Sequence, residues 1–567
     1  MMFQIPFPLR NGVAPLLLAL ALPAGLAAQS RYVEIPWDSS TIGTNTRPVY
    51  GQSVCGIRDI DGDGIDDVLL GSPVTGIGSL VGIVTLRSGR TGRVLYEVKN
   101  GQGWSGFART VETAGDLDGD GFEDFFVGST DGPGELYSGR DGSFLRNLVS
   151  VPLGIAPMHF GRMPDLDGDG VPELLIGNAN ATTTIHGCCI FSSQDAGIRR
   201  VQLLDGATGA VLLEVNPPAT SLYGSVLGSV GDVDGDGLED FGVGAAVADT
   251  MGYVAPGPAG VSGFDVYSSA TGALIWTVPS VVSVFERLGD LDGDGVGDLA
   301  LGGMQIGRNE DAVEIRSGAS GALLHTFVGR RPADGFGLDL AASDWDGDGE
   351  PELIVGADDR VGFTLSYGGL FRMDGDGYVQ VIDVGTNQVL QTFDGEPEDW
   401  GLGAAVVAIG DATGDGKTDI AALAAWSDSH IGGTLRILSQ SPLRIRSSAS
   451  ELSVAAGGTL TFEAKLGASH AGDLAILLGS ASGPTPPTVY QGVTVPLIPD
   501  PYSRFLFRRV SPIVLDGSGE GTVALHIPAA FSPALVGLTL DHGFLVLDPT
   551  TKSPVDTTWS VPVVFTD

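Results

Sequence analysis

The stretch Asp232-Val233-Asp234-Gly235-Asp236-Gly237-Leu238-Glu239-Asp240 constrains the fold more than any other part of the chain. Carboxylates stand at loop positions 1, 3, 5 and 9. A glycine at position 6 permits a sharp turn, and the backbone carbonyl of Leu238 at position 7 can supply a further oxygen. Hard oxygen donors at this spacing suit Ca²⁺, which takes about 6–8 oxygens in flexible geometry. Position 12 is Val243 rather than Glu, and no amphipathic helical pattern flanks the loop. Instead Phe241-Gly242-Val243-Gly244 follows at once, a short apolar run that reads as a buried strand. The motif therefore predicts strand–loop–strand, not helix–loop–helix.

The same spacing returns along the chain, so repeats govern the fold assignment. The first copy is Asp59, Asp61, Asp63 and Asp67, with Ile65 at position 7. The second is Asp116, Asp118, Asp120 and Asp124 with Phe122; the third is Asp165, Asp167, Asp169 and Glu173 with Val171. The fourth is the stretch above, with Asp232, Asp234, Asp236 and Asp240. The fifth is Asp290, Asp292, Asp294 and Asp298 with Val296; the sixth is Asp344, Asp346, Asp348 and Glu352 with Glu350. The seventh is degraded to Asp411, Thr413, Asp415 and Asp419, with Lys417 at position 7. Loop starts lie 57, 49, 67, 58, 54 and 67 residues apart. One match of this kind is weak, whereas seven in series point to a repeated unit holding up to six or seven Ca²⁺ ions. Asp374-Gly375-Asp376-Gly377 is left out, because Arg372 and Gln380 occupy its positions 1 and 9. It is expected to be a polar hairpin turn.

More than the loop repeats. Tyr50, Phe107 and Tyr223 stand nine residues before the first Asp of their copies, and Phe160, Phe285, Phe336 and Trp400 stand at other offsets. Glycine follows most of these aromatics. A short apolar run after position 9 ends in Gly71, Gly128, Gly177, Gly244, Gly302 or Gly356. A hairpin completes each unit, as in Val201–Leu204 turning through Asp205-Gly206-Ala207-Thr208-Gly209 into Val211–Leu213. Turn residues between apolar runs are hairpin signals. About four strands per unit, repeated radially, make a β-propeller.

The succession of aromatic-Gly, Asp-x-Asp-Gly-Asp-Gly-x-x-Asp and Gly-x-Pro resembles the FG-GAP repeat, also grouped with VCBS-type repeats, the blade of the integrin α-subunit propeller. The resemblance covers roughly residues 45–445. It implies a seven-bladed propeller, here given the bounds 31–445, with Ca²⁺ in the strand-connecting loops and the residues named above as ligands. Thr413 departs from the pattern with a weaker hydroxyl ligand. Glu173 and Glu352 lengthen position 9 by one methylene. The N-terminal run Arg31–Pro36 is expected to close the ring as the outer strand of the last blade, beside Thr434–Ser439.

From about Ser447 the loop motif is gone. Apolar runs at 452–454, 459–462, 474–478, 505–507, 521–525, 543–547 and 561–565 suggest a small C-terminal β-sandwich over 448–567. A linker is expected from about Ser441-Pro442 to Ser450. The fold class is thus all-β, a propeller followed by a sandwich.

Residues 1–28 read as a secretory signal: Arg10 is basic, Val13–Leu22 is apolar but too short to span a bilayer, and Gly25–Ala28 offers small residues for cleavage. Export suits calcium binding, and no membrane span is expected after cleavage. The formal net charge of −39 argues against nucleic acid, which is bound by basic stripes. The three cysteines, Cys55, Cys188 and Cys189, form no disulfide framework; the vicinal pair could close on itself, one member could reach Cys55, or all three could be thiols.

Seven scattered histidines form no metal or triad motif. The reading that follows is a secreted calcium-binding module for an extracellular glycan or protein, by binding, adhesion or scaffolding. Two enzyme alternatives stay open. Thr-Gly turns such as Thr271-Gly272 leading to Trp276, together with Cys188-Cys189, resemble quinoprotein propellers. Some polysaccharide lyases also use calcium-bearing propellers, with a His, Lys or Tyr base in the central cleft.

Overall fold

The computed structural model describes Val33–Ile35 and most of residues 53–567, with breaks that include 74–81, 149–157, 193–200, 246–262, 360–374, 413–416 and 428–433. The leader, Cys188, Thr413, Asp415 and the segment 440–444 lie outside the described residues.

Among the described residues there are seven four-stranded sheets. The first runs Ser53–Ile57, Asp67–Ser72, Ile83–Arg87, Val94–Lys99, each strand antiparallel to the next. The next five repeat this simple order, beginning at Thr110–Gly115, Met158–Arg162, Tyr223–Gly231, Val284–Arg287 and Asp339–Ser343. In the seventh, Asp399–Ala408, Ile420–Ser427 and Thr434–Leu438 are joined by Val33–Ile35, which pairs antiparallel with Thr434–Leu438 as the outermost strand. The pairing expected of the N-terminal run is the one observed.

Core side chains lie between sheets rather than within them. Ile57, Leu69 and Leu86 of the first sheet share a cluster with Phe107, Val111, Phe125 and Val127 of the second. Five further clusters join each sheet to its successor in the same way. One more packs Ile409, Ala421, Leu435 and Ile437 of the seventh sheet against Val68 and Leu70 of the first. Full burial of such side chains stabilises by about 1.5–3 kcal/mol each.

The aromatic-Gly and apolar-Gly signatures meet at these seams. A Cβ on Gly71 would stand 2.4 Å from the carbonyl of Ala108 in the next sheet, and one on Gly177 would stand 1.9 Å from that of Gly224. Glycine at the end of the second strand lets adjacent backbones touch. The residue it touches follows the aromatic and takes a left-handed backbone, as Gly224 does at φ +88°. Ala108 holds this slot at φ 67°, a conformation that costs a residue with a Cβ.

The C-terminal region has its own core. Ile445–Ser447, Gly458–Lys465 and Glu520–Ile527 make a three-stranded sheet. A larger sheet contains Glu451–Ser453, Val561–Thr566, Thr539–Leu547, Leu474–Ser480 and Ile513–Val514. Leu460 and Phe462 from the one and Leu477, Phe544 and Phe565 from the other fill a common apolar cluster. Ile445 is part of it, so Ile445–Ser447 is a strand of this core rather than linker.

Two local expectations are corrected. Phe505-Leu506-Phe507 is not a strand but part of the helix Pro501–Arg509. Asp500 caps it, accepting the Ser503 N–H while the Ser503 side chain bonds back to the Asp500 N–H, and Pro501 opens it. Gly375–Gly377 is not a free hairpin turn: it leads into Tyr378–Asp383 and packs on the seventh sheet, where the Leu402 N–H donates to the Asp376 carbonyl at 3.0 Å.

Candidate metal centre

Each of the six full loops links the first and second strands of a sheet, so all six project from equivalent sheet ends. The backbone folds around the position-1 carboxylate. Asp59 accepts N–H bonds from Gly62, Asp63 and Gly64 at 2.7, 3.1 and 2.7 Å. Asp116, Asp232 and Asp290 accept the same three bonds in their own loops, and Asp165 and Asp344 accept the two from the glycines. Both glycines of the motif are left-handed, as at Gly62 and Gly64 with φ 81° and 88°, which explains why positions 4 and 6 are glycine. The position-5 carboxylate accepts the N–H of position 7, as Asp63 does from Ile65 at 3.0 Å.

Position 9 anchors the loop to the sheet. Asp67, wholly buried, accepts the Ile60 N–H at 2.8 Å and the Gly89 N–H of the hairpin turn at 3.0 Å. Asp124, Asp240 and Asp298 repeat both bonds. The longer Glu173 and Glu352 still reach the position-2 amides of Leu166 and Trp345, both at 2.7 Å.

This scaffold turns acidic oxygens toward one another. Asp59, Asp61 and Asp67 each place an oxygen within 4.8 Å of the others. So do Asp116, Asp118 and Asp124; Asp165, Asp167 and Glu173; Asp232, Asp234 and Asp240; and Asp290, Asp292 and Asp294. Burial pushes the carboxyls of Asp67 and Asp124 up to about 7, and the neighbouring loop carboxylates add to the shift. Burial first, and Asp61 second, also raise Asp63. Converging, partly desolvated carboxylates are a donor set that fits a hard divalent cation.

In the seventh loop Asp411, Lys417 and Asp419 are described; Asp419 is buried and Lys417 exposed. Cys55 is a free thiol. Several charged groups escaped the sequence reading. Glu123, in the second loop, pairs with Arg58 and Arg162 at the ends of the first strands of the first and third sheets, and Glu239 pairs with Arg287. Glu112, exposed at its sheet edge, and the half-buried Glu286 and Asp339 lie on the first strands of three sheets; desolvation by the protein around them, reinforced for each glutamate by the charge of Asp339, lifts the glutamates to about 8, and desolvation lifts Asp339 to about 7.

Comparison with known proteins agrees with the repeat. Residues 116–176 match the FG-GAP-like repeat. The chain is 29% identical to integrin alpha-4 of Xenopus laevis over 146 residues, which is 23% of this chain and 14% of the integrin. It is 29% identical to integrin alpha-PS2 of Drosophila melanogaster over 193 residues, 28% of this chain and 14% of that protein. The chain therefore carries an FG-GAP-like repeat and is similar over part of its length to integrin α-subunits, and it spans about one-seventh of the length of these curated relatives.

Proposed function

We propose that this is an exported, calcium-stabilised β-propeller that serves as a binding or adhesion module for an extracellular glycan or protein. The observation that carries the reading is the repeated loop scaffold, in which one hydrogen-bond pattern brings carboxylate oxygens together in sheet after sheet. In this reading the seven sheets are seven blades, closed by Val33–Ile35, and the strands from Ile445 onward form a sandwich. The ligands are the position 1, 3, 5 and 9 side chains and the position-7 carbonyls of the six full loops. A bound cation supplies positive charge that offsets the repulsion among them. Two like charges about 4 Å apart repel by roughly 1 kcal/mol in water and about 4 kcal/mol at an effective dielectric of 20. Among the described residues, no helix is long and apolar enough to cross a membrane.

The test is a glycan and protein binding screen of the full chain, run in calcium and in chelator. Calcium-dependent binding without turnover supports the module. Release of unsaturated sugar products would replace it with the lyase reading, and binding indifferent to chelation would remove calcium from the account.

A further inference from the structure

Two neighbouring sheets use the same turn position differently. In the second sheet the turn Gly139-Arg140-Asp141-Gly142 lies beside its own loop. The Arg140 guanidinium stands 4.0 Å from Asp120, the position-5 carboxylate, and over the ring of Phe122. Arg90 occupies the matching position in the first sheet, and the first loop offers it the matching carboxylate, Asp63. The turn is tied to that loop, with the Ser88 hydroxyl 3.4 Å from Asp63 and the Gly89 N–H on Asp67. Yet the Arg90 guanidinium donates at 2.8 Å to Asp541, in the strand Thr539–Leu547 of the C-terminal region. The third, fourth and fifth sheets have Ala207, Ala270 and Ala319 at this position.

Asp541 is 2% exposed and burial raises its carboxyl, with Arg90 acting against that shift. The Arg90 side chain is itself only 15% exposed. A desolvated carboxylate needs such a partner, because removing one member of a buried pair leaves a charge without compensation. The partner comes from a turn whose position is set by a cation-type loop, and the Arg90 charge also acts on Asp63.

We propose that Arg90 makes docking of the C-terminal region on the first sheet depend on the cation in the adjacent loop. The proposal rests on the calcium reading above. With a divalent cation among Asp59, Asp61, Asp63 and Asp67, the loop's negative charge is offset and Arg90 stays on Asp541. Without it, Asp63 draws Arg90 back as Asp120 draws Arg140, and Asp541 loses its partner.

Small-angle scattering of the full chain, with calcium content measured on the same samples, tests this. The wild-type chain should be compact in calcium and shift to a larger maximum dimension in chelator. Arg90→Ala should have the larger dimension in both conditions while retaining its bound calcium. Arg140→Ala should behave as wild type. Bound calcium with an unchanged dimension in chelator, or an Arg90→Ala chain as compact as wild type in both conditions, overturns the coupling alone. Absence of bound calcium overturns the loop reading and the coupling together.

Discussion

The seven sheets and the C-terminal region are both built of antiparallel strands, but they are held together by different means. In the C-terminal region two sheets bury Leu460, Phe462, Leu477, Phe544 and Phe565 in one apolar cluster, and its helix is closed by a complete capping box. In the repeat region each apolar cluster is shared by two sheets, and at least five of the sheets carry at one end a loop of converging carboxylates. Position 9 of that loop is buried and bonded to the neighbouring hairpin turn, so loop and sheet move as a unit. On the proposed function, the contrast is between a core held by apolar packing and a series of acidic loops whose charge a bound cation would balance.

Chelation should therefore separate the two regions, and this is the largest effect expected. Extracellular calcium sites commonly have dissociation constants of about 10⁻⁴ to 10⁻³ M. At free calcium about 100 times that constant, each site adds roughly 2.7 kcal/mol. Hydrogen exchange of the full chain should show strand Asp240–Ala245 losing protection in chelator while Glu520–Ile527, in the other C-terminal sheet, keeps it. Equal loss in both strands would erase the distinction.

Phe544→Ala sharpens it from the other side. The side chain is fully buried in the C-terminal core, and truncation there should cost about 3–5 kcal/mol. Urea unfolding followed in the C-terminal strands should show the same loss with and without calcium. A calcium-dependent loss would mean that the two regions share their stability.

A smaller effect is expected inside the ring. Asp234→Ala should remove one bound calcium and about 2.7 kcal/mol at saturating calcium, read by metal analysis and melting. Asp376→Ala, outside any such loop, should leave the calcium content unchanged. Equal calcium loss in both variants would show that stoichiometry does not follow the loops.

The smallest effect concerns the acids on the first strands. Glu112, Glu286 and Asp339 have raised carboxyl pKa values, about 8, 8 and 7. An acid raised in the folded state contributes stability that is full below its ordinary pKa near 4.5 and is lost as pH rises through the folded value. At saturating calcium the melting temperature should fall as pH rises from 6 to about 8 and level off above that, and Glu112→Gln should reduce the fall by roughly 2 °C or less. An unchanged slope in the variant would show that Glu112 does not drive it.

The loops were legible because their signal is local. Nine residues carry the donors, the turn glycines and the anchor, and Gly62 and Gly64 reveal by their backbone why no other residue serves. The strand order was legible for the same reason, since successive strands pair; in the third sheet the separate pair Thr183–His186 and Cys189–Ser192 intervenes between the second and third strands. What escaped was long-range or ambiguous in period. Arg90 and Asp541 are 451 residues apart, and nothing in either neighbourhood announces the other. Phe505-Leu506-Phe507 is too short an apolar run to tell helix from strand by pattern. The deciding signal lay upstream, in Asp500-Pro501 and Ser503, which mark a helix start. Glu112, Glu286 and Asp339 look like ordinary polar positions of alternating strands, and only the assembled sheets bring their charges within reach of one another.

The central claim is that the repeated loops are cation sites, and the most direct measurement is a count of calcium in the purified full chain after equilibration in millimolar calcium and removal of free metal. The account predicts six ions per chain from the six full loops, or seven with the degraded loop filled. A chain that retains no calcium, and whose melting curve is the same in excess chelator, would contradict it.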